Sequence, residues 1–559
     1  MRRLLVLTAV LLVVVLLLAA CQATPTATPT KPPATATPVP SLSQPTATPQ
    51  AAAAASPTAT KPAATATVVP ATPTPAPKSS GKITIVLAEE PWSLEHTQAH
   101  SEVNIPPIRN IEEALLNRDP KTMELIGELA TKWEQTNPTI WRFTLRKGVK
   151  YHNGEDFEAA GAAFGIDRSW SKELNSALRT FIGPEVKAKV VDASTVDVET
   201  ASADPILPLR MYFAALPAPK HAKENPEELS IRPIGTGPYK LVEYVKAQYV
   251  KMTANEDYWG GAPKIKDVVM TWRTEAAVRA AMVRTGEADF ARKLSAEDCG
   301  KLPQCASLPS VETLHLRVDV SPLAEGAPQM LADKRVRQAM SYAIDRKAIS
   351  DRILSGAATP ASHMFSPLVN GYNSTLKPRA LDIEQAKKLV AEAKAAGVDN
   401  SVPLTVIYRS GVMARIAEQT EAVSGMLNAV GFNTKVASME ASQHTQGLRI
   451  KPLPGNRLFY HSHSNEMGDA SQSIASKYRC AGPTSAVCDK KTEELDDKAR
   501  AAVGETRTRL YQELMAYLYD EETSIPVLHP LYQYGLSQRL QWQARLDGFI
   551  LAKEMSIRQ

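Results

Sequence analysis

After residue 80 the chain alternates short apolar runs with longer segments whose apolar positions recur every three to four residues, the pattern of strands joined by helices. Residues 81–88, Gly-Lys-Ile-Thr-Ile-Val-Leu-Ala, predict a first strand, and the alternation in 141–145 and 196–199 predicts two more. Further strands are expected at 264–272 and 404–408. Helical spacing covers 159–169, 275–284 with Gly286 as its stop, 383–395, 415–430 and 507–518. In 335–349 it places Val336, Ala339, Met340, Ala343 and Ile344 on one face. Residues 233–244 read as a glycine-rich turn feeding a strand, and 526–530 as the return of the chain to an earlier domain. Alternating strands and helices predict an α/β body.

The first 80 residues follow neither pattern. Residues 4–20 are apolar except for Thr8, follow Arg2 and Arg3, and end in Leu18-Ala19-Ala20-Cys21. That length suits an export signal, with an uncleaved membrane anchor as the alternative. Residues 22–80 hold 14 of the 41 prolines and no acid, glycine or aromatic residue. Such a composition cannot bury enough apolar surface to offset chain entropy, so 21–80 is expected to be a disordered Thr/Ala/Pro-rich tether reaching on the order of 100 Å. The 479 residues beyond it suit two or three domains.

Charge excludes little: 64 Lys and Arg against 59 Asp and Glu leave a formal +5, without the basic stripe of a nucleic-acid binder. Gly235-Thr236-Gly237 has neither a phosphate-loop nor a dinucleotide continuation and reads as a structural turn whose glycines permit backbone angles or close approaches denied to bulkier residues. Hydrolase motifs of the Gly-x-Ser-x-Gly and His-Glu-x-x-His types are absent, although a dispersed triad leaves no such trace. Four cysteines follow the tether as two close pairs. Outside the cytoplasm this favours Cys299 with Cys305 and Cys480 with Cys488 among three complete pairings, against a competing four-thiolate metal site.

Several separated segments carry a family resemblance. Leu129-Ala130, Trp133-Glu134, residues 144–149 and His152-Asn153-Gly154 come first; residues 233–240, Asn255, Tyr258-Trp259-Gly260-Gly261 and Pro263 follow; residues 335–339 and 342–346 come last. In this order they resemble the extracellular solute-binding proteins, family 5, of bacterial ABC importers, the group that carries oligopeptides, dipeptides and nickel. Glu158-Ala159-Ala160-Gly161 departs from that family's usual helix start, which concerns a cap of about 1 kcal/mol. Leu-Ala-Ala-Cys resembles the bacterial lipobox.

The resemblance implies an α/β, type II periplasmic-binding-protein-like fold of two hinged lobes with an additional subdomain in the first. The expected boundaries are a lipoprotein signal peptide at 1–20, the lipidated Cys21 and tether at 21–80, lobe I at 81–112, 230–320 and 522–559, the inserted subdomain at 113–229 and lobe II at 321–521. It further implies a monomeric extracytoplasmic protein, anchored in the cell membrane by lipid on Cys21. Such a protein captures a small solute, a peptide foremost, and hands it to permease subunits, with no catalysis, cofactor, metal or nucleic acid. An oligosaccharide- or metal-complex-binding protein of the same fold stays open, as do a secreted hydrolase and an adhesion receptor.

The family's carboxylate for the amino end of a ligand falls in the segment 458–469. Glu466 is the closest positional match there and Asp469 its neighbour, without the usual tryptophan and Asp-Tyr pair. Trp92, Tyr408, Arg409, Phe459 and Tyr460 sit at predicted strand ends or in the loops after them, where rings could cover a ligand and Arg409 could meet a carboxylate. His461 and His463 share one face of an extended run, as His96 and His100 would on a helix; such imidazoles line pockets or bind metals. Tyr239 and Trp259 belong to motifs the family carries whatever its substrate and are assigned to the scaffold.

Overall fold

The computed structural model describes residues 79–98, 103–176, 178–179, 183–318, 320, 329–450, 456–485 and 487–558. The expected signal segment, Cys21, nearly all of the tether and His100 lie outside them. Strand β1 (Ser80–Leu87) opens the fold with Ile83, Ile85, Val86 and Leu87 buried, as its apolar run predicts. Next come the short antiparallel pair β2 (Leu116–Arg118) and β3 (Leu125–Gly127), then β4 (Ala130–Asn137), β5 (Ile140–Leu145), β6 (Val186–Asp192) and β7 (Thr195–Thr200). The last four form a separate antiparallel sheet in the order β4-β5-β7-β6. Helix Ala159–Ser169 packs against it, starting where the sequence predicts although Glu158 provides no side-chain cap.

The chain then returns to β1 through β8 (Tyr239–Val245), β9 (Tyr249–Ala254) and β10 (Ile265–Trp272), with β10 parallel to β1. Strand β11 (Phe290–Arg292) lies parallel to β1 on its other side. Two further strands, β12 (Gln304–Pro309) and β13 (Glu312–Arg317), follow one another with only Ser310 and Val311 between them. The remainder comprises β14 (Ala358–Pro360), β15 (Pro403–Arg409), β16 (Asn433–Met439), β17 (Arg457–Ser464), the long β18 (Ile525–Leu536), and the short pair β19 (Leu540–Gln541) and β20 (Ser556–Ile557). The strand path runs β16-β15-β17-β13-β18-β11-β1-β10-β9-β8.

Strand β18 joins the two halves of that path. Its first part ladders with β13 and β14, in pairs such as Leu528 with Leu314 and with Pro360. Its second part, from Leu531 to Leu536, ladders with β12 and β11. Separate apolar cores fill the β4–β7 region, the β13–β17 half and the β8–β11 half. This is the expected type II binding-protein-like α/β architecture.

Of the segments that carry the family resemblance, those at 233–240 and 258–261 meet the start of the first one around two buried carboxylates, while residues 335–346 pack in the β13–β17 half. Glu113 accepts hydrogen bonds from Thr236 Oγ1 (2.9 Å), Trp259 Nε1 (2.8 Å) and the Tyr258 hydroxyl. Glu128 accepts from Arg109 Nη2 (2.8 Å), the Ala114 amide (3.0 Å) and Asn117 Nδ2 (2.8 Å). Burial raises the Glu113 pKa, with the Glu128 charge adding; for Glu128, Arg109 and Lys553 outweigh burial and hold the carboxyl low. Gly235 and Gly237 let the turn press against this cluster: a Cβ would lie 2.3 Å from Ile111 O at Gly235 and 2.6 Å from it at Gly237.

One predicted helix divides. The pattern in 335–349 gives helix Lys334–Ala343, after which Ile344 is extended and a short helix, Arg346–Ala348, begins. Asp345 is the reason: its carboxylate accepts the Ala348 amide at 2.8 Å and restarts the chain as a new helix, which widens into a π turn at Ile349–Ile353. Both favoured cysteine pairs are disulfides, Cys299–Cys305 and Cys480–Cys488. Among the described residues no helix is long and apolar enough to cross a membrane.

Candidate functional site

Two small compartments open where the halves of the sheet meet, and Arg292, Glu312 and Tyr532 line both. The larger is completed by Lys293, Leu294, Ile353, Leu354, Met413, Arg415 and Tyr534 and offers the centre of a water molecule about 70 Å³. The smaller is completed by Ile105, Pro106, Glu466, Asp547 and Phe549 and offers about 20 Å³. At roughly 10–15 Å³ per water such spaces hold only a few waters, so a larger solute enters only if the halves part.

Backbone strain concentrates on the larger compartment. Lys293 (φ 56°), Ser355 (φ 54°) and Arg415 (φ 55°) all sit in the left-handed region, three of seven such non-glycine residues among those described, and all three line this one wall. A side chain in that conformation costs about 1–2 kcal/mol, and proteins retain such strain chiefly where a binding surface requires it. Side-chain bonds to other segments tie down two of the three: Arg415 Nη1 donates to Ile353 O (3.1 Å) and Lys293 Nζ to Val412 O (3.0 Å).

The electrostatics are divided. Glu312 accepts from Ser462 Oγ (2.7 Å), and Glu466 faces the same compartment as Arg292. Asp547 is occupied by Arg545 and by the Tyr212 hydroxyl (2.9 Å), so it is structural at this wall. Burial, with Glu312, Tyr534 and Glu466 adding, holds the Tyr532 phenol well above its ordinary pKa, which keeps it a neutral hydrogen-bond donor. Charges of both signs line each compartment: Arg292 and Glu312 face both, Glu466 the smaller, and Glu297, Lys293 and Arg415 the larger, more apolar one.

The halves are also latched outside the compartments. Arg409 Nη2 meets both Glu89 oxygens at 2.9 and 3.0 Å, joining the end of β15 to the turn after β1, and Arg118 Nη2 donates to Met467 O at 2.5 Å. The Arg409–Glu89 pair is partly solvated, so Arg409→Gln should weaken the joined form by no more than about 1 kcal/mol. Scattering should show a modest shift toward more extended molecules, matched by Glu89→Gln and not added to by the double variant.

The remaining candidates from the sequence are dispersed. Asp469 is buried away from both compartments; burial alone would raise its pKa, but Arg507 in two bonds (2.7 and 3.0 Å) and Ser471 hold it low, and it caps helix Ala470–Lys477. Trp92 is 60% exposed in the turn after β1. Tyr408 packs on the core of its own half. Phe459 and Tyr460 are fully buried, and Tyr460 donates to Gln419 Oε1 (3.1 Å). His461 and His463 do share a face of β17, but it is interior: His461 stacks on His315 at 4.4 Å between ring centres, and His463 Nε2 lies 2.7 Å from Ser473 Oγ. Among the described residues no group of three or more His, Cys, Asp or Glu is set to hold a metal ion. His96 lies 3.1 Å from Ser169 Oγ and 3.2 Å from Glu112, an order suggestive of a triad, but Ser169 is fully buried and donates to Gly165 O.

Arg292, Lys293, Glu312, Met413, Arg415 and Tyr532 were not singled out by the sequence, because their wall arises only where β11, β13 and β18 come together with the loop after β15.

Comparison with known proteins agrees with this architecture. A family model described as bacterial extracellular solute-binding proteins, family 5 Middle, matches residues 124–473. A dipeptide-binding protein of Escherichia coli (strain K12) is 29% identical over 444 residues, 73% of this chain and 81% of that protein. A glutathione-binding protein of Salmonella choleraesuis (strain SC-B67) is 26% identical over 437 residues, 74% of this chain and 81% of that protein. Among solved structures, a periplasmic binding protein of Helicobacter pylori in complex with the peptide STSA superposes with a TM-score of 0.74 at 19% identity, covering 86% of this chain and 99% of that one. A Staphylococcus aureus protein in complex with Ni(L-His)2 superposes with a TM-score of 0.73 at 17% identity, covering 86% and 100%. This chain therefore belongs to the bacterial extracellular solute-binding proteins, family 5.

Proposed function

We propose that the chain is the solute-capturing component of an ABC importer, tied to the outer face of the membrane through lipid on Cys21, and that it closes two lobes over a short peptide. The observation that carries this reading is the strained chamber between the sheet halves, which brings acids (Glu297, Glu312, Glu466) and cations (Arg292, Lys293, Arg415) to its two compartments. The β12–β13 and β18 crossings support a hinge near 309–312 and 528–531, with lobe II between them and the β4–β7 region as the inserted subdomain. Glu466 and Glu312 offer charge-assisted bonds to a peptide ammonium, while Lys293 and Arg415 offer them to its carboxylate. The apolar wall of Leu294, Ile353, Leu354 and Met413 suits a hydrophobic side chain between those ends. Closure on the solute shifts the population toward the form a permease recognises, and lipidation with a long tether keeps the protein near that permease.

Native mass spectrometry of freshly purified protein, with fragmentation of any retained ligand, tests the reading. Short peptides with free termini are expected; a sugar or a metal complex replaces the peptide assignment. Glu466→Gln should weaken binding of such a peptide at least tenfold without changing the melting temperature of the ligand-free protein, and unchanged affinity removes Glu466 from the site.

A further inference from the structure

A third cavity lies between the β4–β7 region and the β13–β17 half, and none of its lining residues lines the two compartments described above. Three arginines line it: Arg210 from the segment after β7, and Arg500 and Arg507 from the helices that follow β17. Arg507 is committed to Asp469 and to two backbone carbonyls, and Arg500 Nε to Asp496 (2.6 Å). Arg210 differs. Its side chain is only 6% exposed, and its ion-pair contact, Nε to Asp204 at 3.1 Å, lacks hydrogen-bond geometry. Its Nε and Nη1 donors are buried without any acceptor.

A buried guanidinium left in this state costs free energy, because donors stripped of water receive nothing in return. Burial lowers the Arg210 pKa, Asp204 partly offsets that, and the Arg500 and Arg507 charges add to the lowering. Each of the three cations has a carboxylate beside it, Asp204, Asp496 and Asp469 respectively, and Asp204 also lines the cavity, so what sets the site apart is the unused donors of Arg210. Ser202 and Ser471 also line it. The space open to a water centre is about 80 Å³, similar to the larger compartment, and holds a few waters or one compact oxyanion.

We infer that the Arg210–Arg500–Arg507 cavity is a binding site for a compact oxyanion, of the sulfate, phosphate or small carboxylate class, bridging the β4–β7 region to the β13–β17 half. An anion there takes the idle donors of Arg210 in charge-assisted hydrogen bonds. Resting on the proposed function, in which these regions belong to different lobes, the anion favours the closed form and so tightens solute binding by the same factor as solute tightens anion binding.

Thermal melting of the full protein against sodium sulfate, with sodium chloride at matched ionic strength as reference, tests the site. The wild type should show a saturating rise of a few degrees in excess of chloride. Saturation matters, because sulfate also stabilises proteins by exclusion, an effect that keeps growing with concentration. Arg500→Gln, at a partly exposed position, should require at least tenfold more sulfate for half the rise, and Arg210→Met should abolish it. Calorimetric titration of sulfate into folded Arg500→Gln protein keeps the test available if Arg210→Met does not fold. A purely linear response, or equal saturation in wild type and Arg500→Gln, overturns the site. If no solute binds under any condition the importer reading fails, while the sulfate titration still decides the anion site on its own.

Discussion

Acidification should destabilise this protein steeply once the pH falls below about 6.5. Burial pushes His152, His363 and His444 down to about 4 and His529 to about 3, and holds His315, His461 and His463 well below the ordinary imidazole range. These seven are neutral in the folded state and protonate on unfolding, so the unfolded chain binds more protons between each folded pKa and about 6.5. Their contribution is complete above 6.5 and is lost as the pH falls toward 4 and below. At pH 5 unfolding should take up several protons, each contributing about 1.4 kcal/mol per pH unit to the slope. Glu113, Glu522 and Glu554, raised by burial, bind protons in the folded state and oppose part of the loss. Lys477, lowered to about 7, acts only on the alkaline side. Urea unfolding at pH 7.5, 6 and 5 measures the uptake; a value under one proton at pH 5 would refute the buried-imidazole account.

Gly237→Ala should cost about 3 kcal/mol or more, far beyond the usual effect of adding a methyl group. The new Cβ would lie 2.6 Å from Ile111 O, 2.7 Å from Asn110 O and 2.8 Å from Ile111 C, all backbone atoms that no rotamer change can move aside. The Gly237 amide also donates to Ile111 O at 2.9 Å, so retreat of the turn breaks the bond that holds it. Gly300→Ala is the control: nothing lies within 4 Å of its Cβ position, and it should be neutral or stabilise slightly. A shift in urea midpoint for Gly237→Ala no larger than for Gly300→Ala would show that the turn can relax.

The close approach of Gly235 and Gly237 was legible in the sequence because glycine at a turn has few other uses. So were most strands and helices, since apolar period and strand or helix conformation express one geometry. The division at Asp345 was not, because an N-cap inside an amphipathic run leaves the apolar period undisturbed. Site residues were least legible. Glu466 lines the smaller compartment, but Asp469, three residues on, turns into the protein to meet Arg507, and sequence proximity cannot separate the two. His461 and His463 show the same limit: alternation gave their common face but not that the face is interior. Lys293 and Arg415 reach one wall through left-handed turns that neither residue type favours, so composition carries no hint of them.

Strand β18 lies in the middle of the strand path, with β16 and β8 at its two outer margins. If motion occurs about that strand, those margins are the tips of a lever, where a rotation of a few degrees becomes the largest displacement in the molecule. Dyes placed there would report occupancy while leaving the chamber chemically untouched, which makes the scaffold a natural starting point for an optical sensor.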